Sequence, residues 1–274
     1  MENNIISDSC IDYHDEIMQE EAVCRIPFKI MVEDEEIVDE RLDTMTLIAK
    51  MKATKKKIST ACPSPADFLK ACKEKTENYI ITISSKLSGS WGSAMIAKQV
   101  AEEENKKVHI IDSKSAAPAQ CLIALKLREL IADKLPTEKI VEKANEYVNK
   151  IKTFFILESL DNLAKNGRIS NRQALVGKLL HVTPIMCSKD GEIDLKEKVF
   201  GRKQAFNRLV EIIGENMAGA KDVVLGITHS NAYNKAVDLK ETLMSKFSFK
   251  EIHIFRASGL STAYADDGGI IVAF

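Results

Sequence analysis

The strongest constraint on the fold of this chain is a change of hydrophobic period that recurs along its length. Short β-branched and aromatic runs, such as Tyr79-Ile80-Ile81-Thr82-Ile83 and Val108-His109-Ile110-Ile111, sit between longer stretches whose apolar residues recur at helical spacing. Runs of this kind read as strands, and strands alternating with amphipathic helices shuttle across a sheet. The class is α/β. The first half is predicted to hold strands at 5–7, 25–32, 79–83 and 108–111 and helices at 43–53, 65–75, 91–104 and 119–132, giving a small mostly parallel sheet. A helix restarts at Pro136-Thr137-Glu138 and ends near Lys150 and Lys152. The second half is predicted to carry strands at 154–157, 184–188, 193–199, 223–228, 251–255 and 268–273, a mixed six-stranded sheet, with helices at 173–180, 204–216 and 232–246. Within it, Lys189-Asp190-Gly191-Glu192 has the Asp-Gly pair of a tight hairpin, so one pair of strands is antiparallel. A length of 274 residues suits about two domains, expected at 1–148 and 149–274.

Charge and cysteine usage narrow the function classes. Lys and Arg total 39 against 40 Asp and Glu, which removes the basic footprint of a general nucleic-acid binder. The six cysteines (Cys10, Cys24, Cys62, Cys72, Cys121 and Cys187) form no Cys-x-x-Cys pair, and the histidines show no ligand spacing, so no metal site is expected. No positively charged leader or long uncharged apolar stretch is visible, and the expected location is the cytoplasm, with no integral membrane segment. Neither Gly-x-x-x-x-Gly-Lys-Ser/Thr nor Gly-x-Gly-x-x-Gly occurs, so no nucleotide or other cofactor is expected on the chain itself.

Three segments could carry chemistry. In Thr60-Ala61-Cys62-Pro63-Ser64-Pro65-Ala66-Asp67, Ser64 caps a helix opened by Pro65, and Thr60 falls in the turn ahead of it. That turn reads either as plain capping or as an anion site. Ser84-Ser85-Lys86-Leu87-Ser88-Gly89-Ser90-Trp91 follows the carboxyl end of a strand, the usual place for a ligand crevice, and its four serines exceed what one cap requires. Its Ser88-Gly89-Ser90-Trp91-Gly92 order is not the Gly-x-Ser-x-Gly of a nucleophile elbow, which disfavours a hydrolase serine. Asn166-Gly167-Arg168-Ile169-Ser170 ends a helix and projects Arg168, which reads either as an ordinary solvated side chain or, its planar fork suiting a carboxylate, as an anion anchor. His109 reads as a structural histidine, and His229 as either a site residue or part of a helix start.

Taken in order, these segments resemble the DegV family, whose members bind long-chain fatty acids. Ile5-Ile6-Ser7-Asp8-Ser9 resembles the family's opening strand and Thr-Asp-Ser turn, and Val23-Cys24-Arg25-Ile26-Pro27-Phe28 its second strand. Thr60-Ala61-Cys62-Pro63-Ser64 is similar to the Thr-Ser-Gln-Pro-Ser turn, Ser84 to Trp91 to the Ser-Ser-x-Leu-Ser-Gly-Thr-Tyr loop, Ile111-Asp112-Ser113 to the third-strand signature, and Asn166 to Ser170 to Gly-Gly-Arg-Ile-Ser. The resemblance implies two unequal α/β domains with an acyl tunnel between them and a carboxylate held by Thr60, Ser88 and Arg168. It implies a non-catalytic subunit that presents the fatty acid to a separate ATP-binding fatty acid kinase subunit. Ser85, Ser90 and Tyr264 complete the expected ligand-binding set, and no residue is assigned a catalytic role. Ser115-Ala116-Ala117-Pro118-Ala119 and the run from Ala174 to Leu180 are candidate tunnel walls or ordinary core. The chain departs from the family pattern at Ala61-Cys62, at Phe200, where an Arg is frequent, and at Tyr264-Ala265-Asp266-Asp267-Gly268, where Tyr264 replaces a histidine and two acids are added. The competing readings are a serine hydrolase or acyltransferase using Ser88 or Ser85, and a binder of some other small carboxylate.

Overall fold

A computed structural model describes residues 2–14, 22–177, 179–217 and 220–274. β1 (Glu2–Asp8), β2 (Cys24–Ile26), β6 (Thr76–Thr82) and β7 (Lys107–Asp112) form an all-parallel sheet in the order β2-β1-β6-β7. Every residue of β6 is buried, as expected of a parallel strand covered on both faces. α2 (Pro65–Ala71) and α3 (Ser90–Glu103) pack together beside this sheet. α4 (Pro118–Ala132) and α5 (Thr137–Lys150) follow, and α5 turns a stripe of Ile140, Ala144 and Val148 inward at a spacing of one helical turn.

The second large sheet has the order β10-β9-β8-β13-β11-β12, built from β8 (Thr153–Ile156), β9 (Val182–Lys189), β10 (Glu192–Phe200), β11 (Val224–His229), β12 (Glu251–Arg256) and β13 (Ile270–Ala273). Only β11 and β12 are parallel; the other pairings are antiparallel. The hairpin turn reads as its sequence demands, with Asp190 at φ 52° and Gly191 at φ 86°. α8 (Arg202–Met217) and α9 (Tyr233–Lys246) cover this sheet.

One core ties the sheets together. Ile5, Tyr79 and Leu122 from the first part of the chain share a buried cluster with Phe255 and Ala273 from the second. α4 packs against both, which is why nine of its fifteen residues are buried rather than one stripe. Position 148 lies near the end of α5, just before the connection to β8.

Three local expectations need correction. The run 25–32 is two strands, because Pro27 has no N–H to continue a ladder: β2 stays in the parallel sheet and β3 (Lys29–Val32) joins a separate antiparallel sheet, β4-β3-β5, with β4 (Glu35–Val38) and β5 (Ser59–Ala61). The helix expected at 173–180 is α7 (Asn171–Val176), capped by Ser170, with Lys178 outside the described residues. The strand expected at 268–273 starts at Ile270, and an unanticipated helix, α10 (Gly259–Ala265), precedes it. α1 (Thr44–Ala53) and α6 (Asp161–Lys165) complete the helices named here. No helix among the described residues is long and apolar enough to cross a membrane.

Candidate functional site

Three buried aspartates, all missed as site-builders in the sequence, position the elements round a central cavity. Asp8 ends β1 and accepts hydrogen bonds from Ile83 N (2.9 Å), Ser90 Oγ (2.6 Å) and Gln120 Nε2 (2.9 Å), fixing both ends of the loop that carries Ser88. Asp39 accepts from Gly259 N (2.8 Å), Leu260 N (3.0 Å) and Ser9 Oγ (2.7 Å), so it terminates α10 with a carboxylate where the free N–H groups point. Only glycine fits at 259, since a Cβ there would lie 2.5 Å from Asp39 Oδ1. Asp12 accepts from Ser258 N (2.9 Å) and Thr228 Oγ1 (2.5 Å), joining the first strand's exit to β11 and the start of α10. Burial pushes all three carboxyls up, Asp12 to about 6, while their donors pull the other way.

The head of the cavity is assembled from distant segments. Thr60 lies on β5, not in a turn ahead of α2, because β5 pairs with β3 and sets Thr60 opposite Ile30. Its Oγ1 is 2.9 Å from the Tyr264 hydroxyl, which α10 delivers. Ser64 makes the anticipated capping box with Asp67, so that motif is spent on α2. Arg168 follows Gly167, whose φ of 72° reverses the chain after α6. Asn166 Nδ2 donates to Ile58 O and Asn162 Nδ2 to Ala263 O, both at 2.9 Å, which staples this turn to the approach of β5 and to α10. The Arg168 side chain is half-buried, with Nε donating to Leu87 O (3.1 Å) and Nη1 to Asn166 O (2.6 Å). Its Cζ is 5.9 Å from the Tyr264 ring centre, and no carboxylate among the described residues pairs with it.

Thr60, Ser88, Arg168 and Tyr264 all line one cavity, whose empty space comes to about 790 Å3 including its open mouth. Phe28, Ile83, Leu87, Phe155, Leu163 and Leu260 are among its apolar walls. Cys10 lines it too, and burial pushes that thiol well up, so it remains a neutral, slightly polarisable wall. Ser115, Ala116 and Ala117 face the cavity, whereas Pro118 and Ala119 belong to the start of α4. None of the described residues from Ala174 to Leu180 lines it: Ala174 is buried in a neighbouring cluster while Leu175, Leu179 and Leu180 are exposed. Leu163 and Ile193 stand there instead.

Ser85 and Ser90 are not brought to the cavity. Ser85 is exposed, its N–H donating to Asp112 Oδ1, and Ser90 is fully buried on Asp8, since the turn into α3 points it inward. Ser88 Oγ accepts from Ser90 N (3.2 Å), and no histidine among the described residues lines the wall to take its proton, so the arrangement needed for a serine nucleophile is not assembled. His109 is bonded to Glu77 (2.9 Å), and His229 Nδ1 accepts from Ala232 N (3.3 Å) at the start of α9; both serve structure. The two acids after Tyr264 turn away from Arg168. Asp267 is held by Lys52 and by Asn231 Nδ2 (2.7 Å), and Lys52 foremost keeps its carboxyl below the usual range; Asp266 Oδ1 accepts from Asp267 N (2.8 Å). Phe200, the last residue of β10, is exposed. No group of three or more His, Cys, Asp or Glu side chains among the described residues could hold a metal ion.

Residues 3–274 match the family model described as "Uncharacterised protein, DegV family". The chain belongs to the DegV family. A DegV domain-containing protein of Streptococcus pneumoniae is 33% identical over 279 aligned residues, covering 98% of each chain. Among solved structures, the DegV-family protein of Ruminococcus gnavus, refined with vaccenic acid, superposes with a TM-score of 0.92 at 32% identity, covering 99% of both chains. The Streptococcus pneumoniae Fatty Acid Kinase (Fak) B3 protein, loaded with linoleic acid, superposes with a TM-score of 0.91 at 32% identity over 100% of this chain and 99% of that one. The DegV fold of those proteins is the fold described here, a small parallel sheet followed by a larger mixed one.

Proposed function

We propose that this DegV chain binds a long-chain fatty acid in the central cavity, with the carboxylate on Arg168, Thr60, Ser88 and Tyr264, and presents it to a separate ATP-dependent fatty acid kinase subunit. The observation that carries this reading is Arg168: a half-buried guanidinium with no carboxylate partner among the described residues, set at one end of an apolar cavity. Among the described residues no bond to its Nη2 is made, and a cation withdrawn from water calls for an anionic, bidentate partner. Burying methylenes contributes about 0.8 kcal/mol each, so an acyl chain along the walls supplies a large driving force. Two similar proteins carry vaccenic and linoleic acid. The kinase half of the reading is supported by the likeness to the Fak B3 protein, and it makes this chain a binding rather than catalytic subunit that acts where ATP is, in the cytoplasm.

Mass spectrometry of an organic extract of the purified protein tests the binding reading. A long-chain fatty acid in near-stoichiometric amount is expected, and a lipid-free protein with no affinity for palmitate or oleate overturns it. For the presenting role, loaded protein mixed with the ATP-binding kinase subunit of a DegV relative should yield an acyl phosphate. No transfer from loaded protein by any such subunit would count against it.

A further inference from the structure

The greasy cavity ends on hydroxyls. Thr153, Phe155 and Leu157 alternate onto one face of β8 and the residue after it, so the cavity follows that strand for about 13 Å. Leu157 shares a cluster with Leu163, Ile169 and Tyr264, which places it at the Arg168 end and Thr153 at the far end. There the Thr153 and Ser115 hydroxyl oxygens are 2.7 Å apart, and each residue is only 4% exposed. Two hydroxyls carry two protons, and their mutual contact uses one; neither oxygen has another acceptor within reach among the described residues. Ser188, the residue after Cys187, whose partner on β8 is Phe154, also lines this cavity with Thr153 and spends its own proton on Lys114 O (2.9 Å) while keeping its lone pairs. One spare donor and a neighbouring acceptor therefore face the far end of an apolar channel.

An alkyl chain can satisfy neither group, whereas a hydroxyl on that chain satisfies both, accepting from the Ser115 and Thr153 pair and donating to Ser188. Resting on the fatty-acid reading above, we propose that this chain selects fatty acids bearing a hydroxyl on the distal part of the acyl chain over their unsubstituted parents. The measurement is competitive binding to the delipidated full chain, with ω-hydroxypalmitate set against palmitate and ricinoleate against oleate. At least one hydroxy acid is expected to bind about fivefold tighter than its parent or more. That ratio should fall to one or below in the Ser115→Ala, Thr153→Val double variant. Parent acids that bind as tightly as both hydroxy acids in the unmodified chain overturn this proposal alone, and so does a ratio that survives the double substitution. If neither class binds, the fatty-acid reading fails and this one with it.

Discussion

Arg168 is where sequence and structure agree for different reasons: the Asn-Gly turn announces a projecting side chain, and the fold then shields it against Leu87 and Tyr264. Hydrogen bonds to charged groups contribute about 1.5–3 kcal/mol, so Arg168→Ala should weaken fatty-acid binding roughly 10- to 100-fold in a displacement titration. Arg168→Lys should fall between, keeping the charge without the fork; an unaltered affinity in Arg168→Ala would remove the carboxylate anchor from the proposal. Asp12 makes a second residue-level prediction. Burial foremost raises its pKa to about 6, so the folded protein holds that proton more tightly than the unfolded chain does. Its contribution to stability is complete below the unfolded value of about 3.9 and is lost as pH rises through about 6. Urea titrations at about pH 4 and about pH 7.5 should show the unmodified chain losing up to about 3 kcal/mol more than Asp12→Asn across that interval. Equal losses in the two proteins would show that Asp12 does not titrate in this way.

At the scale of elements, short polar connections hold the cavity open. α10 brings Leu260, Ser261 and Tyr264 to the wall, yet it is only seven residues long and depends on Asp39 and Ser258 for its first turn. Asp39→Ala would leave the Gly259 and Leu260 N–H groups buried and unpaired, a change expected to cost about 2–4 kcal/mol in denaturant unfolding and to weaken ligand binding with it. A loss under about 0.5 kcal/mol would mean that α10 is held by other contacts. The β9-β10 hairpin is sensitive at its tip, where Gly191 has φ 86° and a Cβ would lie 2.7 Å from Ser84 Oγ. Gly191→Ala is expected to destabilise by about 1–2 kcal/mol, read from the same titration. The hairpin turn, the Ser64 box and the length of α5 were all legible, because each is set by residues within a few positions of one another. Pro27 marks the break inside 25–32, but the destination of β3 was not legible, since its pairing with β5 depends on a partner thirty residues away.

At the scale of the molecule, a cluster joins Ile5, Tyr79 and Leu122 to Phe255 and Ala273, so the two sheets share one core and are expected to unfold together. A ligand in the cavity touches both parts of the chain, so it should raise the stability of the whole. Saturation at a hundred times Kd corresponds to about 2.7 kcal/mol. Calorimetry of delipidated and palmitate-loaded protein should therefore give a single transition that moves upward on loading. Two transitions of which only one moves would contradict a shared core.

That Thr60, Ser88, Arg168 and Tyr264 would share a site was implied only by the resemblance to the DegV family, whereas the sequence by itself determined the α/β class, the order of most strands and helices, the hairpin and the caps. These follow from local backbone preference and hydrophobic period, or from motifs of fixed spacing. Tertiary structure alone decided that Ser85 and Ser90 turn away, that Asp8, Asp12 and Asp39 act as buried braces, and that Ser115 meets Thr153 at the channel's end. The physical reason is that a side chain's surroundings come from segments tens to hundreds of residues distant, and desolvation, which sets both hydrogen-bond demand and pKa, exists only once those segments have packed.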